Sequence, residues 1–367
     1  MRVDALDKPG GDVVLMRSYI QHCAAASTRQ GKSFEGVLLT ALDPDLSSFD
    51  VVHLTNLDRP VDLHRQFRAA RQAGKRLVLT PLHHSYEDIG RYEHLGRGGA
   101  IGLVSGALGF NRLEALRTVV KSRKYPELSR ALLEALRKGI RATQIEVLQG
   151  VDAVLVAGDK ELADIERELC PLPRERVVWM RNGFEAPTVP ALPGHERDID
   201  IAVIARIEAR KNQISILRAL ESLGLGAVFV GGDNPNHKAY CRRFKKMVAG
   251  SRSKLVGGVA VEELGPLLAR TRVHVAASWF EVSSLLDIQA YVLGCRVVAS
   301  ECGGTKELLG NDAYYVDPGS WQSIAQQISA ALQSSRRGTV NSLDLSCGAL
   351  KTWEQIGERM IAIYQGG

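Results

Sequence analysis

Short runs that are almost wholly apolar alternate with helix-length amphipathic segments along nearly the whole chain. That alternation restricts the fold to parallel β-sheets covered by helices on both faces. Strands are expected in the first half at Phe34–Thr40, Asp50–Leu54, Arg76–Leu82, Val151–Val156 and Val177–Met180. In the second half they are expected at Asp198–Ala205, Ala227–Gly231, Val273–Ala277 and Arg296–Ser300. Helical patterns at Val61–Ala73, Asn212–Leu223, Val261–Ala269 and Trp321–Leu332 fall between them. The segment Gly183–Asp198 holds three prolines and little apolar periodicity, which marks a linker. The expectation is an α/β chain of two Rossmann-like, doubly wound domains, residues 1–185 and 186–345. Residues 346–367 form a closing helix, with Trp353, Ile356, Met360 and Ile363 at helical spacing, expected to cross back to the first domain.

Composition narrows the function classes. The chain has 367 residues, enough for two buried cores. Hydrophobic residues at 45% and charged residues at 24% exclude a disordered or fibrous protein. No apolar run reaches the roughly 18 residues of a membrane span, and the N-terminus lacks the pattern of a secretory leader. The six cysteines are far apart, with no CxxC pair, which fits reduced thiols and a cytoplasmic location. One segment departs from the alternation. Arg112–Arg141 carries nine Lys or Arg against three Glu, a net of +6 that equals the formal charge of the whole chain. This is either a solvated helix face or a surface that lies on an anionic membrane. No aromatic interleaving or nucleic-acid module accompanies it, so nucleic acid is not an expected partner.

In such sheets ligands bind beyond the carboxyl ends of the strands, which directs attention to four loops. Gly10 and Gly11 precede a helix pattern and would let backbone approach an anion, or simply make a turn. Arg206 and Lys211 follow the first strand of the second half and suit a diphosphate, or are two solvated charges. Glu281 follows a strand. Val282–Ser284 then lead into a helix near Leu285, whose N–H groups suit phosphate, while Glu281 suits sugar hydroxyls or merely caps the helix. Gln289 lies two turns into that helix, within reach of a ribose. The last loop holds Gly303, Gly304, Thr305 and Glu307, a capped turn and a further anion-accepting end.

Together these features resemble the retaining GT-B glycosyltransferases of glycosyltransferase family 4 (group 1). The matching residues are Gly10-Gly11, Asn182-Gly183, Arg206 with Lys211, and Glu281 with Gln289 and Gly294. Gly303-Gly304 with Glu307 and Val316-Asp317-Pro318-Gly319 complete the pattern. The likeness is strongest over residues 198–335. It implies a GT-B fold whose domains face across a cleft. It also implies a nucleotide-sugar donor, a glycan, lipid-linked or other hydroxyl acceptor, and no cofactor or required metal. In this likeness Arg206 and Lys211 neutralise the donor diphosphate, Glu281 meets sugar hydroxyls, and Ser283, Ser284 and Leu285 offer backbone to phosphate. Gly10 and Gly11 would border the phosphates from the first domain. His83 or His84, without a choice between them, would stand near the acceptor and the reacting sugar. The departure is Gln289, where the family carries a second glutamate. A transferase of cell-envelope polysaccharide assembly, cytoplasmic or peripheral on the inner membrane face, is the resulting expectation. A nucleotide-sugar epimerase and a non-catalytic GT-B subunit remain as alternatives.

Overall fold

The computed structural model describes residues 1–8, 10–97, 99–185, 192–334 and 350–366. The linker expected after Gly183 lies in part outside the described residues, as does Cys347. The chain divides into two compact units. The first comprises residues 1–86, 107–183 and 351–367, the second residues 87–106 and 184–350.

In the first unit four parallel strands lie side by side in chain order. They are β1 (Val51–Thr55), β2 (Arg76–Thr80), β3 (Ala153–Val156) and β4 (Val177–Trp179), with Leu54 opposite Leu79 and Leu79 opposite Val154. Around them run α1 (Gly11–Arg29), α2 (Pro60–Gln72), α5 (Glu127–Lys138), α6 (Ile140–Gly150) and α7 (Asp159–Glu168). The core joins Leu54, Phe67, Leu79, Leu148, Val154 and Ile165. The strand expected over Phe34–Thr40 does not form. Phe34 instead stacks on Tyr364 and Gly36 lies against Ile20, while Val37 stays exposed and no residue of the run is fully buried.

The closing helix α14 (Trp353–Gln365) belongs to this unit. A capping box between Thr352 and Gln355 opens it. Trp353, Ile356, Met360 and Ile363, the four residues at helical spacing, are all buried. It packs on α1 so closely that a Cβ on Gly357 would stand 2.4 Å from the His22 carbonyl oxygen.

The chain passes to the second unit within β5 (Gly183–Phe184) and returns at β12 (Lys351–Thr352). It also makes an earlier excursion. The helix α3 (Tyr86–Arg91) leads into a π-helical turn, Tyr92–Gly96, that packs with the second unit, and α4 (Gly99–Ser122) returns to the first. The second unit is a six-stranded parallel sheet of order β11-β10-β9-β6-β7-β8. Its strands are β6 (Ile199–Ile204), β7 (Val228–Val230), β8 (Lys254–Gly257), β9 (Thr271–Ala276), β10 (Arg296–Ser300) and β11 (Ala313–Val316). One core, with Val203, Phe229, Val273 and Val275, lies under α8 (Gln213–Ser222), α9 (Lys238–Ala249) and α13 (Trp321–Gln333). The other, with Ala202, Ile204, Val297 and Ala299, lies under α10 (Val261–Ala269) and α11 (Leu285–Val292). A short helix, α12 (Thr305–Leu309), follows β10. The edge strands β8 and β11 escape the sequence pattern because most of their residues are not fully buried and so are not selected to be continuously apolar.

Candidate functional site

Strand order in the second unit reverses between β6 and β9, which start from the middle of the sheet and build outward in opposite directions. Crevices form at the carboxyl ends of strands at such a switch point. Here one, open to solvent, is lined by Ile204, Ala205, Lys211, His274, Ser278, Glu281, Ser284, Asp287, Ser300, Gly303 and Thr305, among others.

Lys211 reaches this cavity through local backbone geometry. After β6 a 3-10 turn, Ala209–Lys211, ends at Asn212, whose φ of 60° is left-handed. The Asn212 side-chain amide donates to the Pro318 carbonyl at 2.8 Å, so the 316–319 loop holds the turn. Lys211 Nζ then meets Glu281 Oε2 at 2.5 Å. Arg210 Nη1 approaches the same oxygen at 3.2 Å and also pairs with Glu208. Arg206, 47% exposed in its side chain, stands 3.6 Å from Glu208 at the outer end. The result is a ladder of alternating charge, Arg206–Glu208–Arg210–Glu281–Lys211. Burial alone would raise the Glu208 carboxyl, but Arg210, Arg206 and the Asn234 amide hold it below its ordinary range. Arg206, Lys211 and Glu281 are thus brought into one network, with Lys211 and Glu281 on the cavity wall and Arg206 outside it.

The Glu281 loop is fastened to the glycine turn after β10. Glu281 bridges to Gly303 in parallel, and Gly304 N–H donates to the Val282 carbonyl at 3.0 Å. A Cβ on Gly304 would lie 2.4 Å from that carbonyl oxygen, so the approach requires glycine. Ser284 caps α11, its hydroxyl accepting from Asp287 N–H at 3.3 Å. The preceding Ser283 and the first helical residue Leu285 are half-buried beside it. Gln289, further along α11, is half-buried and outside the residues that line the cavity.

Sequence reasoning missed the cavity's most buried polar group. His274 on β9 is fully buried, and its Nε2 stands 3.2 Å from Asp287 Oδ1. The other carboxylate oxygen accepts from the Thr305 hydroxyl at 2.8 Å. The available signal was a lone histidine within an apolar strand, which alone does not distinguish a core residue from a site residue. Arg210 was missed too, although it stands beside Lys211.

The remaining expected residues lie in the first unit. Gly10 is the N-cap of α1 and Gly11 its first residue. Beside them Arg2 pairs with Asp4 and Asp12 at 2.8 and 2.7 Å, and Asp12 accepts from Val13 N–H, so a carboxylate already occupies that helix start. Among the described residues, no atom beyond its neighbours and its own helix backbone lies within 4 Å of a Cβ on Gly11. His83 and His84 follow β2 after Leu82, whose φ of 48° is strained for a branched side chain. His83 is wholly buried between Asp58 at 3.1 Å and Glu168 at 2.9 Å. Burial would lower its pKa, but these carboxylates raise it to about 10 and hold the ring charged. Its backbone N–H donates to Glu161, whose carboxyl burial pushes up to about 7. His84 shares Asp58, with Nδ1 at 2.6 Å, and its side chain is 21% exposed. The two histidines therefore differ: His83 is the buried strut and His84 the accessible ring. Among the described residues, no group of three or more His, Cys, Asp or Glu is arranged to hold a metal ion.

Comparison with known proteins agrees with this architecture. Residues 198–334 match the family model "Glycosyl transferases group 1". No curated protein matches the chain significantly in sequence. Among solved structures, Anabaena HepE, solved in complex with UDP and glucose, matches with a TM-score of 0.63. It shares 15% identity, covering 98% of this chain and 97% of its own. Sucrose-phosphate synthase from Thermosynechococcus elongatus matches at 0.61 with 18% identity over 87% of this chain and 73% of its own. An α,α-trehalose-phosphate synthase from Burkholderia xenovorans matches at 0.57 with 12% identity, covering 95% and 77%. The chain thus has the GT-B-like fold of glycosyltransferase structures, and its residues 198–334 are similar to the glycosyl transferases group 1 family.

Proposed function

We propose that the protein transfers a sugar from a nucleotide-sugar donor to a hydroxyl-bearing acceptor with retention of anomeric configuration. The observation that carries this reading is the cavity at the β6/β9 switch point, where Lys211 and the start of α11 place positive charge opposite the Glu281 carboxylate. Cleaving the bond between an anomeric carbon and a diphosphate builds negative charge on the departing phosphate. A fixed ammonium beside a helix N-terminus stabilises that charge. Glu281, already answered by Lys211 and Arg210, is held as an anion able to accept from sugar hydroxyls. Arg206 adds longer-range positive potential from the ladder's outer end. For acceptor activation the candidate of the two histidines is His84, because its ring is the accessible one. Gln289 carries little weight for a non-catalytic reading, because it stands outside the cavity lining.

The acceptor class we favour is a glycan or lipid-linked sugar at an anionic membrane surface, within cell-envelope assembly. The basic segment supports this. On α4, Arg112, Leu116, Val119 and Val120 recur at helical spacing, Arg123 follows just past its end, and the three apolar members are about half exposed. On α5, Leu133 and Leu136 are exposed among Arg130, Arg137 and Lys138. Carboxylates answer some of these cations: Asp7 meets Lys124, Glu134 meets Arg130 and Glu146 meets Lys138. An apolar row framed by arginine is the pattern of a helix seated in a lipid interface. Among the described residues no helix is long and apolar enough to cross a membrane.

The test of the donor reading is a thermal-stabilisation screen of the purified protein with UDP, GDP, ADP, TDP and CMP, then product analysis with the matching sugar donor. Stabilisation by one nucleotide and acceptor-dependent release of it are expected. Isomerised donor formed without acceptor points instead to an epimerase, and no stabilisation by any nucleotide overturns the reading.

A further inference from the structure

The polar lining of the cavity is divided by chemistry. At one side Lys211 and the opening turn of α11 are donors, fitted to an anion. On the floor stand His274, Asp287 and Thr305, joined by hydrogen bonds and each at least 95% buried. When Nε2–H of His274 donates to Asp287, the tautomer leaves Nδ1 as an acceptor, and among the described residues no group bonds to that buried nitrogen. The Thr305 hydroxyl is committed to Asp287, so it holds the carboxylate in place. The floor therefore offers acceptors where the other side offers donors. A phosphate, which only accepts, has no partner on the floor, whereas a hydroxyl has one.

Resting on the donor reading above, we propose that His274 is a specificity-determining residue. Its Nδ1 accepts a hydrogen bond from a hydroxyl of the donor's glycosyl group, and Asp287 and Thr305 fix its tautomer and orientation as positioning residues. Three features support a ligand-directed role over a core role: His274 is among the residues lining the cavity, the Asp287 and Thr305 side chains orient its ring, and one ring nitrogen is left unbonded among the described residues. An aliphatic residue at 274 would have filled an apolar strand position without the carboxylate or the hydroxyl.

The experiment is calorimetric titration of wild type and His274→Gln with UDP and with UDP-glucose. The glutamine amide nitrogen occupies roughly the place of Nε2 and keeps the Asp287 contact, while the acceptor at Nδ1 is lost. UDP affinity is expected to stay within about twofold. UDP-glucose affinity is expected to fall about tenfold, the scale of one lost hydrogen bond. Nucleotide binding by wild type tests the donor reading, with UDP and UDP-glucose replaced by the nucleotide that the screen above selects and its glucose conjugate, and the ratio of the two affinities tests the present one, so the two fail separately. An unchanged ratio in the variant overturns the assignment. A second measurement reads the ring in the unaltered protein. The ¹⁵N resonance of His274 Nδ1 should move upfield when UDP-glucose is added but not when UDP is added, and a shift identical for both overturns it.

Discussion

At the scale of single residues, the cations of the second unit are not equivalent. Lys211 is on the cavity wall in contact with Glu281, whereas Arg206 is one carboxylate further out and half exposed. Lys211→Met should therefore lower the turnover number by roughly 10²–10³, the usual loss when one preorganised stabilising group is removed. Arg206→Ala should cost less than about tenfold. Steady-state rates of the folded variants check both, and near-normal turnover in Lys211→Met would remove it as an electrophile. In the first unit the buried charges predict a pH dependence. Glu161 titrates near 7 in the folded state against an ordinary 4.5, so its favourable contribution is complete below about 4.5 and is lost as pH rises through 7. His83, raised from 6.5 to about 10, contributes fully below about 6.5 and loses that contribution as pH rises through 10. Melting temperature should fall over both windows, and Glu161→Gln should flatten the lower one while leaving the fall toward pH 10. A parallel offset of the whole curve in that variant would contradict the assignment.

At the scale of elements, the Glu281 loop depends on a contact that tolerates no side chain. Gly304→Ala places a methyl 2.4 Å from the Val282 carbonyl and must displace the segment that carries Glu281. A stability loss on the order of 1–3 kcal/mol is expected, together with weaker nucleotide-sugar binding, read by denaturant unfolding and titration. The α4–α5 face gives a different prediction. Wild-type protein should co-sediment with vesicles containing phosphatidylglycerol but not with pure phosphatidylcholine vesicles, and less so as salt is raised. Leu116→Asp with Val120→Asp should weaken that binding about tenfold without unfolding, since both side chains are exposed. Equal binding to neutral vesicles would count against an electrostatic surface.

At the scale of the whole molecule, the chain changes units several times, at Tyr86, Ala107, Gly183 and Leu350. For the last passage the sequence offered a stripe, Trp353, Ile356, Met360 and Ile363, that must be buried somewhere. The excursion over residues 87–106 was not legible, since what draws it to the second unit is the packing of Tyr92 on Trp279 and Phe280, nearly 190 positions away. A nucleotide supplied at 100 times its dissociation constant should stabilise the protein by about 2.7 kcal/mol. If the site lies wholly in residues 184–350, hydrogen exchange should slow there first, around β6, β9 and α11.

Periodicity alone determined the alternating α/β plan, most strand positions and the loops where Arg206, Lys211 and Glu281 stand, because these are dictated by local side-chain spacing. It failed at Phe34–Thr40, an apolar run that joins no strand and stays only partly buried, and at the exposed edge strands. Only the tertiary structure separated buried His83 from accessible His84, placed Gln289 outside the cavity and joined His274 to Asp287 and Thr305. Those distinctions arise where chain segments converge, and the burial and hydrogen bonds that convergence creates leave no periodic trace in the sequence.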